Sequence, residues 1–111
     1  MAYDEVLAAR IRELVAHEKG LTEQRMFGGL AFLIGGNMAV AASSHGGLLL
    51  RVDPADGKKL LTKPEARPMV MRGRAMDGWL RIDSSALGTK RDLERWVKHG
   101  VAYARSLPVK R

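Results

Sequence analysis

The feature that most constrains the fold is an apolar stretch, residues 25–41, interrupted by glycine pairs at 28–29 and 35–36. Between the pairs neither face of an extended chain is polar, which is typical of a strand that is central in its sheet or covered on both sides. The second pair and the asparagine after it supply the positive-φ residues of a tight hairpin. We therefore predict strands over 26–34 and 38–43, and a bulge or close backbone approach at the first pair.

The remaining periodicities extend this hairpin into a complete order of elements. In chain order we predict a helix over 3–18, strands over 26–34, 38–43 and 48–52, a short helix capped by Asp53 and ending near Leu61, strands over 68–76 and 79–83 joined by an Asp77-Gly78 hairpin, and a helix from Thr89 to Pro108. The predicted fold class is α+β: a two-layer, antiparallel five-stranded sheet with helices on one face, in the order α-β-β-β-α-β-β-α.

Length and composition set the class of protein. A chain of 111 residues is expected to form a single domain over residues 1–111. It contains no cysteine, so disulfides, thiolate metal sites and cysteine nucleophiles are excluded. No apolar run is long enough to span a membrane, and the N-terminal residues do not resemble a signal peptide. We therefore expect a cytoplasmic protein that does not contact membranes.

The net charge of +7 is unevenly distributed. Residues 1–23 hold three lysines and arginines against five acids, so they carry −2 and the remainder of the chain carries +9. Such asymmetry indicates an anionic partner, with nucleic acid first among the candidates. A basic surface that serves only solubility is the alternative interpretation.

Sequence patterns for catalysis and cofactor binding are absent. The glycine pairs lack the lysine and helix start of a phosphate-binding loop, and no dinucleotide fingerprint occurs. His17, His45 and His99 are not at metal-ligand spacing from one another. Ser43 and Ser44 precede His45, but neighbours in sequence do not form a catalytic triad. We therefore expect a protein that is not an enzyme and has no cofactor and no metal.

Once the elements are placed, the sequence resembles the N-terminal domain of the TfoX (Sxy) competence-regulator family. The most specific part is the motif Arg25-Met26-Phe27-Gly28-Gly29, to which we assign a structural role; "LLLRVD", "GWLRID" and "LERWVKHGVAYAR" follow in the family's order. The resemblance implies a two-layer α+β fold and a regulatory or accessory role. Full-length regulators of this family add a C-terminal domain that looks DNA-binding, and this sequence stops before one. Residues 39–42 also read AVAA, where family members often carry a larger aromatic residue.

Two hypotheses about function remain open. In the first, the domain contacts nucleic acid or a transcription-related protein through a basic face, with Trp79 and Tyr103 as stacking surfaces. In the second, it is a homodimeric protein-interaction module that does not bind nucleic acid, and it associates through an edge strand or an open apolar sheet face. The candidate nucleic-acid-binding residues are Arg72, Arg74, Arg81, Arg91, Arg95 and Lys98.

Overall fold

The computed structural model describes residues 3–26 and 28–110. Its helices and strands, in chain order, are α1 (Glu5–Val15), β1 (Leu21–Met26), β2 (Gly29–Ile34), β3 (Asn37–Ala42), β4 (Leu48–Arg51), α2 (Pro54–Leu60), β5 (Ala66–Met71), β6 (Arg74–Ile82) and α3 (Lys90–Ser106), with a 3-10 turn at Ser84–Leu87 before α3. The α+β class is confirmed, as is the order of the predicted elements.

Within residues 3–26 and 28–110 the sheet has six antiparallel strands in the order β1-β2-β3-β4-β6-β5, so the predicted number of five strands is wrong. The predicted strand over 26–34 begins too early, because the chain reverses at Gly28 (φ +76°), β2 begins at Gly29, and Met26 belongs to the strand that pairs with it. The additional strand is β1, whose sequence LTEQRM is exposed at four central positions. A polar edge strand carries no apolar alternation, and the sequence pattern therefore did not reveal it.

The hairpin between β5 and β6 also differs from its prediction. The chain turns at Arg72 (φ 51°) and Gly73 (φ 77°), and Met71 pairs with Arg74. Gly78, which was expected in the turn, lies inside β6 with φ +81°. A Cβ atom there would lie 2.5 Å from the carbonyl oxygen of Val52, so this glycine serves a close backbone approach.

The three helices pack on one face of the sheet, as predicted. Ile11 of α1, Leu60 of α2 and Trp96 of α3 share one core cluster with Phe32 and Leu50 of the sheet. All five are at most 8% exposed. Burial of this apolar surface is the main driving force that joins the two layers.

The opposite sheet face buries a second, smaller cluster without any helix. Its buried members are Ala31, Leu33, Met38, Ala41, Leu49 and Met69, and the half-buried Met26 and Trp79 pack against them. None of the six buried members is more than 7% exposed. Flexible methionine side chains suit such an irregular space. The side chains of this cluster are therefore buried against one another and against Met26 and Trp79.

The β2–β3 turn holds the C-terminal residues against the sheet. It is the predicted glycine turn, with Gly35 at φ +60° and Gly36 at φ +82°. The Lys110 amide donates to the Gly35 carbonyl oxygen at 2.8 Å, and Asn37 Nδ2 donates to the Pro108 carbonyl oxygen at 2.9 Å. Because Asn37 is only 3% exposed, this bond satisfies a side-chain amide that burial would otherwise penalise.

Candidate nucleic-acid interface

The six predicted nucleic-acid-binding residues lie in three separate places. Two are at the β5–β6 turn, one is near the end of β6 and three are on the last helix. Helix α3 packs on the helical face, whereas Arg81 pairs opposite Leu49 on the other sheet face. The residues therefore do not form one surface.

The β5–β6 turn forms a short two-stranded arm, residues 70–75, all six of which are exposed. Its rungs are Val70 with Ala75 and Met71 with Arg74. Strand β4 pairs with β6 only from Trp79 to Ile82, so the arm extends beyond the last β4 pair. Arg72 lies in the turn, whereas Arg74 and Arg81 lie near opposite ends of β6.

The outer surface of α3 carries the second set of cations. Arg91, Arg95 and Lys98 are exposed at spacings of four and three, opposite the buried stripe of the helix. The helix begins as predicted, because the Thr89 side chain accepts a hydrogen bond from the Asp92 amide at 3.1 Å. Acidic side chains lie close to these cations.

Grooves beside α3 show how these acids are distributed. Lys63 and Arg95 line one groove together with Glu65 and Asp92. Lys98 lines a second groove that also contains Asp53 and Asp56, near the start of α2. The charge around α3 is therefore mixed, whereas both charged side chains of the arm are arginines.

Arg81 is engaged within the protein. Its guanidinium donates to Ser43 Oγ at 3.0 Å, and Ser43 Oγ also accepts from the His45 amide at 3.1 Å. Arg67 lies directly opposite Arg81 in the register and pairs with Asp83 at 3.4 Å. The Arg81 side chain therefore links β6 to the loop after β3.

The other five predicted cations form no ion pair with any residue in the described ranges. Arg12, Arg67 and Arg105, by contrast, pair with Glu23, Asp83 and Glu18. Unpaired exposed cations keep their charge available to an external anion. They are Arg72, Arg74, Arg91, Arg95 and Lys98.

The two aromatic rings proposed as stacking surfaces flank an arginine. The Arg51 guanidinium carbon lies 5.2 Å from the Trp79 ring centroid and 5.6 Å from the Tyr103 ring centroid. Both distances are typical of cation–π contacts. Sequence reasoning missed this arrangement, because Arg51, Trp79 and Tyr103 come from three elements and no local spacing connects them.

In the motif, Arg25 and Met26 end β1, Gly28 lies in the turn and Gly29 begins β2, whereas Phe27 lies outside the described residues. A Cβ atom on Gly29 would lie 2.2 Å from the Ala42 carbonyl oxygen, so the predicted close backbone approach is present at that residue. Met26 packs against the second cluster, and Arg25 is exposed. These positions shape the β1–β2 hairpin.

The described residues contain neither a candidate metal site nor a candidate membrane span. No group of three or more histidine, aspartate and glutamate side chains in residues 3–26 and 28–110 could hold a metal ion. No helix within those ranges is both long enough and apolar enough to cross a bilayer.

Fold and site together define a small two-layer α+β domain with exposed cations on a hairpin arm and on its last helix. The family model of the TfoX N-terminal domain matches residues 13–104, and the chain belongs to this family. No curated protein and no solved structure matches the chain. The resemblance inferred from the motif and element order is confirmed, and family membership fits a small regulatory or accessory domain.

Proposed function

We propose that this protein is a non-enzymatic regulatory or accessory domain that contacts nucleic acid, or a complex assembled on nucleic acid, through its exposed cations. The observation that carries the proposal is that five predicted cations, on the arm and on α3, are exposed and have no ion-pair partner among the described residues. The net charge of +7 supports long-range attraction of a polyanion.

A salt titration of binding to random-sequence DNA and RNA tests this proposal. If all five cations contact phosphates of duplex DNA, the logarithm of the binding constant falls against the logarithm of salt concentration with a slope of roughly −4.5. Fluorescence anisotropy from about 50 mM salt upwards measures this slope, since electrostatic binding is strong at the lower end. A protein that binds neither polymer at that concentration rules the proposal out.

Charge-removing variants identify the surface. Neutralising Arg91, Arg95 and Lys98 by substitution with glutamine is expected to reduce the magnitude of the slope by about 2.7, and neutralising one arginine of the arm by about 0.9. The matched control is Lys19→Gln, which removes an exposed charge from the α1–β1 loop. An equal effect of the control would show that only net charge matters.

A homodimeric interaction module is the second candidate. Val70 is 54% exposed and Met71 37% exposed on β5, which is an edge strand of the sheet. Exposed apolar residues on an edge favour association, but Pro68 in the same strand removes a backbone donor that a pairing strand would need. These observations favour side-chain contact at the arm over strand pairing.

Sedimentation equilibrium of the wild type and Val70→Lys tests this candidate. A dimer built on Val70 and Met71 becomes monomeric when a charge is placed at its apolar centre. Val6→Lys, at a 71% exposed position on α1, is the matched control and leaves the dimer intact. A wild-type protein that is monomeric at high concentration excludes the dimer.

A further inference from the structure

We infer that the β5–β6 arm, residues 70–75, is an insertion element for the major groove of double-stranded DNA. This inference rests on the proposed function, since it specifies which nucleic acid is contacted and how. Its basis is the combination of an exposed two-stranded ribbon, two exposed arginines at the end of that ribbon and the engaged aromatic rings elsewhere.

The arm has dimensions that suit the major groove. Neighbouring strands lie about 4.8 Å apart, and the major groove, about 12 Å wide, admits a two-stranded ribbon. Three residues per strand extend about 10 Å, which is comparable with the groove depth of about 8.5 Å. All six arm residues are exposed and β4 pairs only with the later part of β6, so a ribbon of this length is accessible for insertion.

The side chains of the arm match what a major groove presents. Arg72 and Arg74 flank the turn glycine and have no ion-pair partner within the described part of the chain. Arginine reaches phosphates and, in bidentate fashion, the O6 and N7 atoms of guanine. Val70 and Met71, more than a third exposed, add the apolar surface that a thymine methyl group contacts.

The engaged aromatic rings argue against single-stranded nucleic acid. Single-strand binders stack successive bases on exposed aromatic side chains. Here Trp79 and Tyr103 flank the Arg51 guanidinium, and Trp96 is only 5% exposed. Double-stranded RNA is also a poor partner, because its major groove is too deep and narrow for side chains to read. Duplex DNA therefore fits the arm better than either alternative.

The backbone of Arg72 provides a variant that separates binding from folding. With φ at 51°, Arg72 occupies the left-handed region, which glycine adopts more easily than arginine. Arg72→Gly is therefore expected to keep or slightly raise the midpoint of thermal unfolding while it removes the guanidinium. Loss of binding in this variant cannot be attributed to loss of structure.

The experiment compares three labelled probes by fluorescence anisotropy: a DNA duplex of about 20 base pairs, or two helical turns, one of its single strands, and an RNA duplex of equivalent sequence. The proteins are the wild type, the arm variant Arg72→Gly/Arg74→Gln and the charge-matched control Lys19→Gln/Lys110→Gln, whose positions are exposed and lie outside the arm. Thermal unfolding is measured for each protein.

We expect the wild type to bind the DNA duplex most tightly, and the arm variant to lose at least about tenfold in affinity for it at low salt. The control should lose less than the arm variant. Tighter binding of the single strand or the RNA duplex, or equal losses in arm variant and control, would overturn the inference and leave nucleic-acid binding intact. Failure to bind any probe would overturn the proposed function as well.

Discussion

Gly100 shows how one residue sets the distance between the two layers. A Cβ atom at this position would lie 2.3 Å from the Ala39 carbonyl oxygen of β3 and 2.9 Å from Leu50 Cδ1 of β4. Since Ala39 contributes backbone in a central strand, it cannot move away without disturbing its neighbours. The missing side chain of Gly100 is therefore what allows α3 to lie directly on the sheet.

Gly100→Ala is expected to lower the free energy of unfolding by about 1–3 kcal/mol, because overpacking against backbone outweighs alanine's better helix propensity. Urea denaturation measures the change. The matched control is Gly88→Ala, a position where an added Cβ atom has no neighbour within 4 Å. If both variants lose the same free energy of unfolding, the close approach of Gly100 to Ala39 does not account for the loss.

At the same scale, Arg51 joins the end of β4 to α3 and β6 through the rings of Tyr103 and Trp79. Arg51→Met keeps much of the apolar stem and removes the cation, and should cost about 1 kcal/mol of stability. A double-mutant cycle with Tyr103→Leu isolates the contact, with an expected coupling of about 0.5–1 kcal/mol. Additive losses would mean that the guanidinium and the ring do not interact.

At the scale of the element, α3 depends on its first turn. The Thr89 side chain accepts from the Asp92 amide, which places an acid where the helix dipole favours it. Thr89→Ala should cost about 1 kcal/mol in the free energy of unfolding, whereas Thr89→Ser should restore most of it because the hydroxyl remains. Thermal unfolding of both variants checks this, and equal stability of the two would exclude a capping role.

The elements also show what the sequence could predict. Helix α3 and the strands β2, β3 and β4 combine apolar periodicity with caps or glycine turns, so their positions follow from local rules. Strand β1 does not, because its pairing with β2 depends on a sheet edge that no local pattern encodes. Local turn chemistry predicted the β5–β6 turn at Asp77-Gly78. Gly78 instead lies inside β6, where its carbonyl oxygen accepts a hydrogen bond from the Val52 amide at 2.8 Å.

The sequence predicted which residues could form the candidate site, but it did not predict how those residues are arranged on the surface. Arg91, Arg95 and Lys98 recur on α3 at helical spacings of four and three, and all three are exposed. Arg72 and Arg81 belong to the same candidate set, but Arg72 lies in a turn and Arg81 is held by a hydrogen bond to Ser43. Such separation depends on register and tertiary contacts, which a single sequence does not specify.

At the scale of the whole molecule, ion pairs connect segments that are distant in sequence. Arg12 of α1 donates to Glu23 of β1 at 2.6 and 2.9 Å, and Arg105 of α3 donates through Nε to Glu18 Oε1 at 2.7 Å. The hydrogen bond from the Arg12 guanidinium holds the pKa of the Glu23 carboxyl below its ordinary value. The first pair joins α1 to β1, and the second joins the α1–β1 loop to α3.

The lowered pKa of Glu23 makes a prediction about acid stability. The pair stabilises the fold fully above the ordinary glutamate pKa, and this contribution is lost as the pH falls through the lower pKa of the folded state. Glu23→Gln should therefore be less stable than wild type at neutral pH, with a difference that vanishes in acid. Thermal unfolding across pH measures it, with the exposed Glu94→Gln as control; a difference independent of pH would contradict it.

The bonds between the C-terminal residues and the β2–β3 turn have a consequence for partial opening of the molecule. Terminal amides usually exchange quickly with deuterium in the solvent, because they are rarely held by the fold. The Lys110 amide donates a hydrogen bond to the Gly35 carbonyl oxygen, so it should exchange more slowly than terminal amides usually do. Protection of the Lys110 amide from exchange reports whether the C-terminal residues are docked on the β2–β3 turn. This protection can be lost while the sheet amides remain protected, so its loss distinguishes release of the C-terminal residues from global unfolding.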